Sequence, residues 1–305
     1  MVFAIAFRLA RLYLRLPHIS MPVDVKRGRS VFAKLEQDLS KLSPKLESDN
    51  VHGFRTGTRR LQVLFDLFAA PDRGQKKLLK QLGRIRKRAG KLRDLDVQLA
   101  ALRGFKSSRQ ARPKTELVNH LIELRDRQEK KLRKLADGKT VRDLKKSLRR
   151  AAKKFDAQDS RDPLVAAREM LAKIDGSNPQ VTEETLHRYR ILAKQARYAA
   201  EFASQSPERE QFIARVKKVQ DALGDWHDWL TLTGTAQKHL GDLRESPLVA
   251  ELQNVSRAKF RRALASLTQM QPKRLIARKA PEAQSSSSSQ STSSPSEAAS
   301  AEAAA

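Results

Sequence analysis

The chain has 305 residues and no cysteine. Disulfides, thiol catalysis and cysteine-ligated zinc are therefore excluded, and the composition fits a reducing, cytoplasmic setting. Aromatic residues make up only 5 %. That disfavours a β-sandwich and leaves few rings on which bases could stack. Carboxylates are scarce: 34 Asp and Glu face 62 Lys and Arg, a formal charge of +28. Such a field opposes compaction and favours a polyanionic partner, whether nucleic acid, anionic lipid or a phosphate polymer. Long apolar runs are missing as well. The opening MVFAIAFRLARLYLRLPHIS has seven residues before Arg8, and Arg11 and Arg15 follow. It is too short and too charged to span a bilayer, and no transmembrane segment is expected elsewhere. Residues 1–21 read as a basic N-terminal segment: an amphipathic helix able to touch a membrane surface, a fray, or sequence upstream of a start at Met21.

What is present is helical patterning. Leu and Ala are prominent, and apolar residues recur at a spacing of three to four without alternating β-branched runs. Breakers at Pro44, Pro71, Pro113, Asp137-Gly138, Pro163, Gly176 to Pro179, Pro207, Pro247 and Pro272 divide the chain. The predicted helices are 29–43, 51–69, 74–104, 114–136, 140–156, 163–174, 183–204, 208–240 and 248–270. The Ser/Ala-rich end, 276–305, offers no large apolar residue after Lys279 and is expected to be disordered.

An internal repeat organises the rest. His52 and His187 lie 135 residues apart, each opening a His-x-x-Arg-x-x-x-cation helix. Ala89-Gly90-Lys91-Leu92-Arg93-Asp94 and Leu223-Gly224-Asp225-Trp226-His227-Asp228 are offset by 134, as are Pro113 and Pro247. Helix 29–43 shifted by 134 falls on helix 163–174. Four elements that keep their spacing indicate two copies of a four-helix unit, 24–137 and 161–271, joined by the extra helix 140–156. Short links imply antiparallel neighbours.

On a helix turning about 100° per residue, His52, Arg55, Arg59, Gln62 and Asp66 share a stripe about 80° wide. Phe54, Leu61, Leu64, Phe65 and Phe68 occupy the opposite side. His187, Arg190, Lys194, Arg197 and Glu201 form the same stripe in the second copy, opposite Tyr189, Leu192, Ala196, Ala199, Ala200 and Ala203. A lone basic helix face is ordinarily solvated, but surface helices mix charge signs. These two faces stack cation on cation, at matching places, with one acid at the far end of each. Glu201 is spaced to hold Arg197. Asp49 or Asn50 is the expected cap of the first helix, which would place His52 in the first turn, where backbone N–H groups favour an anion. Thr182 caps the second, with His187 about a turn deeper. Near so many cations both histidines should be neutral. Arginine forks match phosphate oxygens two at a time.

Arg84, Lys87, Arg88 and Lys91 lie on one side of the next helix, and Lys217 and Lys218 hold the matching region of the second copy. Gly90 and Gly224 read as packing points or kinks rather than phosphate loops, since neither sits in a glycine-rich run. Asp94 and Asp228 read as metal ligands or as partners for arginines and helix ends, the latter preferred. Trp226 and Trp229 read as core or interface anchors.

The paired histidine helices, each followed after 37–38 residues by Gly-x-x-(Arg/His)-Asp, resemble the CHAD domain, the "conserved histidine α-helical domain", over roughly 24–271. The resemblance implies an all-α fold of two pseudo-symmetric antiparallel four-helix bundles facing a basic central cavity, with the domain spanning 22–275. It implies binding of inorganic polyphosphate and attraction to polyphosphate granules. Carried across, His52, Arg55, Arg59, His187, Arg190, Lys194 and Arg197 become phosphate contacts, and Arg84, Arg88, Lys91 and Lys218 line the same cavity. The halves differ: Gln62 stands where the second copy has Arg197, His227 where the first has Arg93, and Ala89 where the second has Leu223, so the first half is expected to be the weaker. No acidic β-rich tunnel domain of the triphosphatase kind accompanies it, which suggests a stand-alone module. The expected function is non-catalytic polyphosphate binding, with no cofactor, no metal and no identified protein partner. One alternative is a metal-dependent phosphohydrolase using His52, His187 and His227-Asp228, against which stand the missing HExxH motif and the surrounding arginines. The other is a non-specific nucleic-acid binder, and weak attraction of that kind is expected in any case.

Overall fold

The structure, a computed structural model, describes residues 23–42, 46–106, 111–155, 161–174 and 181–270. The expectations for segments 1–21 and 276–305 lie outside the described residues.

Nine α-helices and no strand occur among the described residues. They are α1 (Val25–Leu42), α2 (Ser48–Phe68), α3 (Arg73–Gly104), α4 (Ala111–Leu135), α5 (Gly138–Lys153), α6 (Pro163–Ala172), α7 (Glu183–Ala200), α8 (Pro207–Leu240) and α9 (Pro247–Met270). Each corresponds to a predicted helix, with ends displaced by a few residues. The local causes are visible. Asp72 caps α3 in a reciprocal box with Gln75, and Asp137, Asp162, Thr182 and Ser206 accept backbone N–H groups at the starts of α5, α6, α7 and α8. Pro163 and Pro207 occupy first-turn positions where no N–H is needed. Gly241, at φ 84°, ends α8 in a backbone region that side chains avoid.

Two expectations about helix starts are corrected. Helix α2 begins at Ser48, with Glu47 at the cap position, so neither Asp49 nor Asn50 caps it. His52 is therefore the fifth helical residue, past the first-turn amides. His187 is also the fifth residue of its helix, not a turn deeper than His52. Both histidines therefore project from the side of a helix rather than from its N-terminal end.

Successive helices pack in the order the short links imply: α1–α2, α2–α3 and α3–α4 in the first copy, α6–α7, α7–α8 and α8–α9 in the second. The linking helix α5 folds back on α1 and α3. Helix α2 also meets α7, and α3 and α4 meet α8, so the earlier helices face the later ones across α2, α3, α7 and α8. The apolar interior does not divide along the repeat. One cluster runs through both copies, from Phe32, Phe54 and Phe68 to Ala196, Phe202 and Trp226. Phe68 and Phe202 meet across the copies at 5.8 Å. A second cluster joins the far ends of α3 and α4 (Leu99, Leu102, Leu117, Leu121) to those of α8 and α9 (Leu232, Leu248, Leu252). Trp226 is 1 % exposed, and Trp229 stacks edge-on with Phe105 at the second cluster, as anchors do. Helices α3 and α8, of 32 and 34 residues, run through Gly90 and Gly224 without interruption. The close packing expected there occurs instead on α2, where a Cβ on Gly53 or Gly57 would lie 3.1 Å from Asp38 or Leu35 of α1. No described helix is long and apolar enough to cross a membrane.

Candidate functional site

Between the facing helices lies a cleft of about 340 Å³. Its walls come from all four: His52, Arg55, Thr56 and Arg59 on α2, Arg93, Asp94 and Val97 on α3, Arg190, Lys194, Arg197 and Tyr198 on α7, and Gln220, Asp221 and Asp228 on α8. On α3 these residues fall where the first apolar cluster gives way to the second, after Leu92 and around Leu95; on α8 only Asp228 does so, after Trp226, whereas Gln220 and Asp221 lie between Val219 and Leu223 of the first cluster. The apolar stripes of α2 and α7 are buried, at Phe54, Leu61, Leu64, Phe65 and Phe68 and at Tyr189, Ala196, Ala199 and Ala200. That burial turns the two cationic stripes toward each other.

Six cationic side chains face three carboxylates, and the three do not neutralise the six. Asp94 reaches Arg55 at 3.5 Å but is 55 % exposed, so the pair is weak. Asp221 is held by Lys217 at 2.6 Å. Asp228 is raised above the usual carboxylate range by burial, despite the pull of Arg190 and Lys194. The Nε atoms of Arg86, Arg190 and Arg197 are buried without a hydrogen-bond partner. Burial and the guanidinia of Arg190, Arg59 and Arg55 push the Lys194 amine down from 10.5 to about 7. Partial burial, Arg93, Arg55 and Lys194 lower His52. Burial, Arg190, His187 and Lys194 take His227 to about 3. The shifts at Lys194, His52 and His227 disfavour positive charge, and an anion in the cleft would oppose them.

The CHAD domain profile matches residues 29–237. The chain belongs to the CHAD domain family. A crystal structure of the CHAD domain from the plant Ricinus communis shares its fold at 17 % identity and a TM-score of 0.56, covering 84 % of this chain and 90 % of that one. PptA from Streptomyces chartreusis is similar at 15 % identity and a TM-score of 0.57, over 82 % of this chain and 99 % of that one. No curated protein matches the chain.

In this CHAD domain the stripe residues from both copies converge: His52, Arg55 and Arg59 meet Arg190, Lys194 and Arg197 in one cleft. His187 stands beside it, exposed, with its ring 5.1 Å from that of His227, and is lowered by burial, Arg190 and Lys194. Gln62 and Asp66 are exposed and do not line the cleft, so Gln62 weakens neither half of it. Arg84, Arg88, Lys91 and Lys218, expected to line the cavity, do not line the cleft. They share a side of α3 or α8, but the wrong one. Arg84, Arg88 and Lys91 lie roughly 140° round α3 from Arg93, Asp94 and Val97, and Lys218 about 100° from the cleft face of α8. Arg84, Lys91 and Lys218 are exposed, and Arg88 bonds Gln128 of α4 at 2.9 Å.

Arg93 is the cation the sequence reading passed over. The Gly-x-x-(Arg/His)-Asp motif already contained it, and Ser48 now anchors its Nη1. Arg55 lies over Gly90, with Nη2 3.7 Å from where a Cβ would sit, an ordinary contact that an alanine would also allow. Gly224 faces open space. Asp94 acts as the arginine partner expected of it. Glu201 holds Arg197 at 3.5 Å, but binds Arg60 of α2 more tightly at 2.6 Å, and both guanidinia lie over the Tyr198 ring at 5.1 and 5.5 Å. Arg60 lay off the stripe, and no spacing rule pointed to it. Among the described residues no three His, Asp or Glu side chains converge on a metal-sized site.

Proposed function

We propose that the cleft binds inorganic polyphosphate and does no chemistry on it. The observation that carries this reading is the convergence of six cations on one groove with three carboxylates, four of the six (Arg55 with Arg190, Arg59 with Lys194) at matching positions of the two stripes. A linear polyanion answers that arrangement. Each phosphate carries its own charge and meets cations in sequence, first the guanidinium forks of α2 and α3, then Arg190, Lys194 and Arg197 of α7. Binding re-protonates Lys194 and relieves the repulsion among Arg55, Arg59 and Arg190. The acid–base groups do not suit phosphoryl hydrolysis. His227 stays neutral near pH 7, and the carboxylates sit among arginines that also repel a divalent ion. Attraction to polyphosphate granules in the cytoplasm would follow from the same contacts.

The test is a titration with long-chain polyphosphate, orthophosphate, heparin and RNA at several salt concentrations. Polyphosphate should win at moderate salt, with an affinity that falls as salt displaces the advantage of counterion release. Equal affinity for heparin or RNA would sink the proposal. Phosphate release from polyphosphate in the presence of added divalent metals would overturn the non-catalytic part.

A further inference from the structure

A second cavity, of about 290 Å³, lies on the other flank of α2, among α1, the end of α7 and the start of α8. Arg27, Lys34, Arg60 and Arg209 line it, against a single carboxylate, Glu201, with Phe202 on its apolar side. Three of the cations are fixed in place. Arg209, 8 % exposed, donates Nε to the Ala200 carbonyl at 3.1 Å and Nη2 to that of Glu201 at 3.4 Å. Arg27 donates Nη1 to the same Glu201 carbonyl at 3.2 Å and Nη2 to Gln205 at 3.4 Å, and its Nε lies 3.5 Å from the Asp24 carboxylate just outside the lining. Arg60 donates Nε to the Glu201 carboxylate at 2.6 Å. Lys34 is exposed at the rim and makes no ion pair among the described residues. Held in this way, each guanidinium keeps N–H donors beyond those already engaged, and with Lys34 they can meet a phosphoryl group in a half-enclosed space.

The cavity is not a duplicate of the cleft. Under the repeat the counterpart of Arg60 is Gln195, and that of Arg209 is Gln75, which is occupied in the capping box of α3. It is, however, wired to the cleft. Glu201 divides its carboxylate between Arg60 on the cavity side and Arg197 on the cleft side. An anion taken up by Arg60 leaves that carboxylate to Arg197 and removes positive charge from the cleft. By linkage, a polyanion on Arg197 returns Glu201 to Arg60 and fills the cavity's need for an anion.

We propose that this cavity is a second anion site, for a small free phosphate such as orthophosphate or pyrophosphate, and that Glu201 couples it negatively to the cleft. This goes beyond polyphosphate binding, and it can be tested apart from it with pyrophosphate as the probe. Calorimetry at matched ionic strength would compare the full chain carrying Arg55→Gln and Arg190→Gln with the same chain also carrying Arg27→Gln and Lys34→Gln, and circular dichroism would check that each is folded. The first should bind pyrophosphate at one site. The second should bind it about tenfold more weakly or not at all, as expected for losing charge-assisted contacts. In an otherwise wild-type chain, Arg27→Gln and Lys34→Gln should leave long-chain polyphosphate affinity intact and reduce the ability of pyrophosphate to weaken it. Pyrophosphate binding indifferent to Arg27 and Lys34 would overturn the proposal. So would long-chain affinity that falls with them, because the cavity would then be an extension of the cleft. Long-chain affinity indifferent to Arg55 and Arg190 would count against the cleft reading alone.

Discussion

Replacing Lys194 by Met should stabilise the protein and weaken its grip on polyphosphate. The amine is surrounded by Arg190, Arg59 and Arg55, and only Asp228 opposes them. A fall from 10.5 to about 7 corresponds to about 5 kcal/mol disfavouring the charged amine on folding, an upper bound because solvent reaches the cleft. Exchanging such a buried charge for an apolar chain of similar length typically gains about 1–4 kcal/mol. For a domain of this size each kcal/mol moves Tm by about 2–4 °C. The pH dependence fixes the sign independently. The folded pKa is depressed, so the unfolded chain binds more protons between about 7 and 10.5, and wild-type stability should rise across that window. The Met variant should lose this contribution. Polyphosphate binding runs the other way. The anion favours the charged amine, so wild-type affinity should be level below pH 7 and decline above it. The variant should bind about ten- to a hundredfold more weakly, the worth of one charge-assisted contact, with a flatter profile. Thermal melts and calorimetric titrations from pH 6 to 10 measure both. A variant that melts lower than wild type, or that keeps the wild-type decline in affinity above pH 7, would refute the reasoning.

Combined Arg55→Gln and Arg190→Gln should cost roughly a hundredfold or more in polyphosphate affinity and lower the salt slope by about 1.4, which titrations at three ionic strengths would show. Arg84→Gln, Lys91→Gln and Lys218→Gln together should change that affinity by less than about threefold at physiological salt, since these exposed charges act on the cleft only through screened solvent. Trp226→Ala should cost about 3–5 kcal/mol in chemical denaturation, as a core residue does. Asp38 is 9 % exposed with Oδ2 unpartnered, and burial raises its pKa. It therefore contributes a loss of stability that grows as pH climbs from 3.8 through its folded value, and Asp38→Asn should raise the melting temperature at neutral pH.

The sequence by itself determined the helices and the two cationic stripes, because each is a local matter. Caps, prolines and the 3.6-residue period act within a few residues. A stripe such as His52, Arg55 and Arg59 keeps its phase wherever its helix is placed, and its buried opposite side says which way it must turn. Period alone could not say which side of α3 and α8 meets those stripes. Arg84, Arg88 and Lys91 form as coherent a row as Arg93, Asp94 and Val97, and only the packing of α3 against α2, α4 and α8 decides between them. The same holds for cross-copy contacts. Arg60 lies 141 residues from Glu201 and outside its own stripe, so their bond, and the cavity behind it, exist only once α1, α2, α7 and α8 are assembled. Short-range spacing fixed what each helix offers, and tertiary packing decided which offers meet, because a side chain's partners across an interface depend on helix rotations to which residues hundreds of ångströms of extended chain apart contribute.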